Sequence, residues 1–231
     1  MNEYSKNKKQ LEEQGFSITE TFFSEIELNE LVELIESSSS EFSVRQLVNK
    51  VPKIQEVIFQ NQLFKELYHT VCDKSYFLSK AIYFNKPSKS NWFVSYHQDL
   101  SISVKERIED EHYTNWTSKK NQLGVIPPNN ILEKIVTFRI HLDTADNRNG
   151  ALKVITNSHD KGIVRIDESF DKSAYGNEVV CEVKRGGVML MKPLLLHSSQ
   201  KSISESDRRV IHLEFCNQEI PMGWLEKKRI S

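Results

Sequence analysis

From about residue 80 the chain breaks into short runs rich in β-branched and aromatic residues: AIYFNK, FVSYHQD, KIVTFRIHLD, ALKVI, EVVCEVKR, GGVMLMKPLLLHSS and RRVIHLEFC. Turn residues such as those of NRNGA separate them. Many short strands joined by turns suit an antiparallel sandwich or barrel and disfavour a parallel sheet, which needs long crossover connections. The clearest run is IVTFRIHLD, residues 135 to 143. Side chains alternate along a strand, so Val136, Phe138, Ile140 and Leu142 share one face, and Thr137, Arg139, His141 and Asp143 the other. That polar face meets either water or the interior of a ligand cavity, and the strand alone leaves both open.

The first third has a different texture. Residues 24 to 38, SEIELNELVELIESS, keep Ile26, Leu28, Leu31, Val32, Leu34 and Ile35 at near-helical spacing, with Ser24 placed to cap the start. The preceding GFSITETFF reads as a short strand, and about 54 to 73 reads as a second helical region. The expected architecture is mainly β with flanking α-helices, in a single domain over 1–231, helical to about 78 and β-rich from about 79 to 217. A net charge of −1 without a dense basic run gives no global field for nucleic acid or a membrane surface. No apolar run approaches the roughly 20 residues that span a bilayer. Cys72, Cys181 and Cys216 are far apart and odd in number, which fits neither a zinc pattern nor a disulfide framework. With a polar N-terminus unlike a signal peptide, the expectation is a soluble cytoplasmic protein whose partner is a small molecule. Oligomeric state is not legible.

Chemistry enters at FVSYHQDLSISV, residues 93 to 104. His97 and Asp99, one residue apart, project to the same side of a strand. They are either a chance pair, with Asp99 fixing a turn, or two metal ligands. His197, the first polar side chain after LLL in MLMKPLLLHSS, is either a core histidine or the third ligand. Two histidines and a carboxylate occupy one face of an iron(II) octahedron and leave the other positions open. Zinc accepts the same set. Arg208 follows His197 by eleven residues, and a hairpin would return it toward the metal. It shares a strand face with Val210, His212 and Glu214, whereas Arg209 emerges with Ile211, Leu213 and Phe215. A guanidinium inside a pocket can grip a carboxylate at two points, which suits the distal carboxylate of 2-oxoglutarate. The alternative is a surface pair bridging Glu205 or Asp207.

Together, FNKP, HQD, HLD…NRNGALKVITNSHDKG and LLLHSS…RR resemble the phytanoyl-CoA dioxygenase family of iron(II)- and 2-oxoglutarate-dependent oxygenases, over about residues 11 to 217. The resemblance implies a double-stranded β-helix (a cupin-like jelly roll), with His97, Asp99 and His197 on iron and Arg208 on 2-oxoglutarate. It assigns no catalytic residue beyond the metal ligands. A cosubstrate contact on the strand before Asn149-Gly150 falls on Arg139, with Thr137 two residues away on the same face. Ile82 or Tyr83 borders the same cosubstrate. Thr156-Asn157 stands where the family commonly has Pro-Gly, and Ser198 follows the distal histidine where glycine is usual. Retention of Asp99 argues against a halogenase. The implied activity uses dioxygen, releases succinate and carbon dioxide, and hydroxylates an unidentified small molecule. Tyr83, Trp116 and His141 are the candidate substrate contacts. Residues 103 to 134 read either as a lid or substrate loop or as a surface insertion. The competing functions are a cupin-type metalloenzyme that needs no 2-oxoglutarate and a non-catalytic metal- or ligand-binding jelly roll.

Overall fold

The computed structural model describes residues 4–87, 93–119 and 122–230. The chain opens with α1 (Ser5–Gln14), β1 (Phe16–Thr21), α2 (Glu25–Glu36), β2 (Ser43–Arg45), α3 (Leu47–Lys50), α4 (Ile54–Gln60) and α5 (Gln62–Val71). Then come β3 (Phe77–Lys86), β4 (Val94–His97), β5 (Ile102–Val104), β6 (Thr114–Lys119), β7 (Gln122–Ile126) and α6 (Asn129–Leu132). The remainder is β8 (Ile135–His141), β9 (Leu152–Ile155), β10 (Glu178–Cys181), β11 (Gly187–Met191), β12 (His197–Ser199) and β13 (Arg208–Cys216).

Among the described residues these strands form three antiparallel sheets, ordered β1-β11-β8-β13-β3-β2, β10-β9-β12-β4 and β5-β7-β6. The first two face each other as a jelly roll. The outer face of the larger sheet carries Tyr83, Phe138, Ile140, Leu213 and Phe215, which pack under Leu28, Leu31, Ile35, Phe64 and Leu67 of the helices. Burial of such side chains is the main stabilising term of a domain this size. Helix α2 starts where expected. Ser24 Oγ accepts from the Glu27 backbone N–H, and the Glu27 carboxylate accepts from the Ser24 N–H, forming a capping box.

All seven residues of β8 are buried, so its polar face turns inward rather than to water. Asp143 escapes that face because the strand ends at His141, and its carboxylate binds Arg209. The interior is divided along its length. Phe16, Val154, Met189, Met191 and Leu195 fill one end as an apolar cluster. The other end is hollow and mixes charged side chains with apolar ones.

The structure departs from sequence expectation at three places. The single helical region of 54–73 is two helices, because Asn61 leaves helical geometry (φ −63°, ψ 119°) and caps α5 with its side chain. Residues 103–134 contain β-structure: β5, β6 and β7 form the third sheet, and α6 follows, with residues 120 and 121 outside the described set. Finally, β12 and β13 are not a hairpin. They lie in different sheets, so the connection between them crosses from one wall of the jelly roll to the other.

Candidate functional site

In β4 and β12, antiparallel pairing sets His97 directly opposite His197, with ring centroids 4.2 Å apart. Asp99 lies just past the end of β4, where its backbone N–H donates to the Pro193 carbonyl at 2.9 Å. The turn away from the strand keeps its carboxylate beside both rings: Oδ1 is 3.9 Å from His97 Nε2 and Oδ2 is 3.8 Å from His197 Nε2. One donor atom from each residue lies within 4.8 Å of the others, which makes this the metal-capable cluster among the described residues.

The second nitrogen of each ring fixes what the first can do. His97 Nδ1 is 2.9 Å from the Ser95 carbonyl oxygen and His197 Nδ1 is 2.8 Å from that of Leu195. Only a protonated Nδ1 satisfies a carbonyl, so each Nε2 keeps its lone pair toward the shared centre. Burial lowers the His197 pKa to about 4, against the opposing charge of Asp99, so the ring is neutral near pH 7. Burial pushes the Asp99 carboxyl upward, but His197, His212, His97 and Lys80 outweigh it and hold the group well below the usual carboxylate range. Two imidazoles and a carboxylate are a donor set of a divalent transition metal.

Around this cluster opens a cavity of about 620 Å³, large enough for a small molecule. Alternation along β3 directs Lys80, Ile82, Phe84 and Lys86 into it. Behind them a buried chain of hydrogen bonds crosses three strands. Lys80 Nζ donates to Glu214 Oε1 at 2.8 Å, His212 Nε2 donates to the same oxygen at 3.0 Å, and Arg139 Nη1 donates to His212 Nδ1 at 3.0 Å. The chain fixes the His212 tautomer and orients the Arg139 guanidinium, which lines the cavity. Arg208 also lines it and is buried. Its Nε has no partner, and it forms no ion pair among the described residues. Burial and the nearby Arg139 charge lower its pKa to about 9. A buried guanidinium in this condition has a strong requirement for an anion.

The other expected residues are placed unevenly. Thr137 and His141 share the inward face of β8 but lie outside the cavity lining, buried with Thr137 Oγ1 and both His141 ring nitrogens unpartnered. Burial, then Arg139 and Arg208, hold His141 well below the ordinary imidazole pKa, so it is neutral. Tyr83 faces the helices, 3.2 Å from Glu36, and its neighbour Ile82 takes the cavity side instead. Trp116 turns away from the cavity to place its indole N–H on the Tyr113 carbonyl and its ring under Arg107, while Asn115 and Thr117 line the wall. Arg209 pairs with Asp143 and Glu36 rather than with Glu205 or Asp207. Ser198 points away from the cavity, between His197 and Ser199, which line it.

Supporting contacts explain several of the motif's other residues. Gln98 donates to the Gly162 and Leu194 carbonyls and accepts from the Val164 N–H, so it locks the segment that carries Asp99. His159 Nε2 reaches the Glu12 carbonyl at 3.1 Å and ties α1 to the jelly roll. Asn157 adopts φ 64°, a left-handed conformation that asparagine tolerates better than most residues. Sequence reasoning missed Lys86, whose Nζ donates to Ser199 Oγ at 3.1 Å and to the Gln200 carbonyl. The alternation Lys80, Ile82, Phe84, Lys86 was the available signal.

The family model described as phytanoyl-CoA dioxygenase (PhyH) matches residues 11–210. No curated protein matches the chain. Among solved structures, EctD from S. alaskensis in its apoform is 17% identical, with a TM-score of 0.70 and coverage of 99% of this chain and 86% of that one. The non-heme alpha ketoglutarate dependent carbocyclase SnoK from nogalamycin biosynthesis is 14% identical, with a TM-score of 0.68 and coverage of 98% and 96%. HygX from Streptomyces hygroscopicus, with nickel and 2-oxoglutarate bound, is 13% identical, with a TM-score of 0.63 and coverage of 91% and 85%. At these identities the likenesses establish the fold.

Proposed function

The chain belongs to the phytanoyl-CoA dioxygenase family, and from that premise we propose that it is an iron(II)- and 2-oxoglutarate-dependent oxygenase that hydroxylates a small molecule. The observation that carries this reading is the conjunction of the His97, Asp99 and His197 donor set with an unpaired, buried Arg208 in one cavity. A metal site that needed no oxoacid would have no use for a desolvated guanidinium, and this separates the reading from a cupin-type metalloenzyme or a simple metal-binding barrel. Structural likeness to HygX with 2-oxoglutarate bound, and to the alpha ketoglutarate dependent carbocyclase, supports it.

His97, Asp99 and His197 would hold the iron. A metal held there would let dioxygen take two electrons from 2-oxoglutarate, giving succinate and carbon dioxide, and two from a substrate C–H bond, giving the alcohol. The chain's own groups do the rest. Arg208 receives the distal carboxylate of 2-oxoglutarate, and Arg139, held by His212, adds a second guanidinium. Ile82, Phe84 and Leu152 give the cavity apolar wall, which limits water at the reacting centre. One domain carries the site, helical to about residue 78 and jelly roll from about 79 to 217.

Anaerobic titration tests the proposal. Iron(II) and 2-oxoglutarate together should give a weak visible charge-transfer band that neither gives alone. His97→Ala should abolish the band. Arg208→Ala should raise the 2-oxoglutarate concentration needed by about tenfold or more, with iron affinity retained. Wild-type protein that gives no band with both present sinks the reading.

A further inference from the structure

The charge in the cavity exceeds what the metal and cosubstrate use. Among the described residues six cationic side chains line it, Arg45, Lys80, Lys86, Lys119, Arg139 and Arg208, against the two carboxylates Asp99 and Glu214. The whole chain carries a net charge of −1, so the positive excess is local. Iron(II) adds two positive charges and 2-oxoglutarate two negative ones, which leaves the balance unchanged.

Four of the six cations already have partners or roles. Lys80 is paired with Glu214. Arg139 and Arg208 are assigned to the cosubstrate under the reading above. Lys86 donates to Ser199 and Gln200. Arg45 and Lys119 remain: both are exposed, both line the cavity, and neither side chain makes a hydrogen bond or ion pair among the described residues. They come from different walls, Arg45 from β2 in register with Ile82 and Lys119 from β6 in register with Gln122.

Uncharged polar groups share the same lining. Thr117 and Asn115 of β6 are two of them. Asn115 takes φ 51° where the β6–β7 register shifts, and its side chain, like that of Thr117, lines the cavity. Left-handed backbone at a non-glycine residue is uncommon and gathers at ligand clamps.

We propose that the substrate is a polar small molecule bearing an anionic group, carboxylate or phosphate, held between Arg45 and Lys119 at the exposed end of the cavity. A cleft lined by one sign of charge concentrates ligands of the other sign, and the two cations then fix which end of the substrate faces outward. The inference rests on the oxygenase reading for its account of Arg139 and Arg208, but not for the charge excess itself.

The test is calorimetric binding to the anaerobic iron(II)–2-oxoglutarate complex, using matched probes: carboxylic acids with their primary amides, and phosphate monoesters with their parent alcohols. Acidic members should bind, neutral partners should not, and binding should weaken as salt rises. The arm that binds identifies carboxylate or phosphate. R45Q/K119Q should lose about tenfold or more in affinity for the acidic members and keep the visible band. Equal binding of neutral partners, undiminished binding by the double variant, or no binding in either acidic arm overturns the inference. If the band itself does not form, the oxygenase reading fails, and the same titration on metal-free protein still decides the anion question.

Discussion

Glu226 is the residue whose ionisation works most plainly against the fold. It is buried, its Oε2 accepts the Ala81 backbone N–H at 3.0 Å, and its Oε1 has no partner. Burial raises its pKa from 4.5 to about 7, against the favourable Ala81 N–H and the charges of Lys80 and Lys228. The folded state therefore keeps a proton that the unfolded chain releases near 4.5. Stability from this group is intact below that pH and is lost as pH rises through about 7. Glu226→Gln should gain on wild type over that interval, by on the order of 3 kcal/mol, as read from urea midpoints at several pH values. At this scale the sequence was most informative where chemistry and spacing coincide. His97 and Asp99 one residue apart were legible because chelation and alternation restrict which positions can work together, whereas Arg208 reaches the cavity by a crossing between sheets and not by the hairpin that the spacing suggested. Tyr83 was open against Ile82 because a strand's period does not say which phase faces the cavity. Arg139 came from the resemblance, and only the fold shows the His212 bond that orients it.

At the scale of elements, Asn61 shows how one side chain replaces a long helix with two. Its Oδ1 accepts from Phe64 N–H to cap α5, while its Nδ2 donates to the Phe22 carbonyl and to Glu27 Oε1. Glu27 also completes the α2 capping box, so Asn61 ties α2, α5 and the end of β1's connection into one polar joint. Asn61→Ala should lower the unfolding free energy by about 1–2 kcal/mol, with an unchanged denaturant slope. The cap was hidden because Asn61 interrupts an apolar period that continues on both sides. Strand β6 was hidden for the opposite reason. In TNWTSK the cavity face is Asn115, Thr117 and Lys119 and the other is Thr114, Trp116 and Ser118, so both faces are mostly polar. Alternation is visible only when the two faces differ in polarity. Strands β8 and β13 differ strongly between faces, and they were the ones that sequence placed well.

On the scale of the whole molecule, the proposed centre sits at an edge of the jelly roll's smaller sheet. Among the described residues strand β4 is an edge of the smaller sheet, paired with β12, and supplies His97 and the segment bearing Asp99. His197 comes from β12, between β4 and β9. A metal held by all three would bind the edge strand to an inner one, and it binds the folded state alone because the unfolded chain separates His97 from His197 by a hundred residues. At a free metal concentration a hundredfold above Kd, that linkage is worth about 2.7 kcal/mol. For a chain of this length it corresponds to a rise of about 5–10 °C in Tm. Manganese(II), which binds such donor sets, should therefore raise the Tm of the metal-free protein, and a chelator should reverse the rise. Amide exchange should slow most in β4, an edge strand that carries a ligand, and least in β3 and β13 of the larger sheet. His197→Ala should abolish the increment in Tm. Asn61→Ala should start lower and gain the full increment, because its defect lies on the helical side of the larger sheet. An increment that survives in His197→Ala would place the metal elsewhere and remove the basis for the oxygenase assignment.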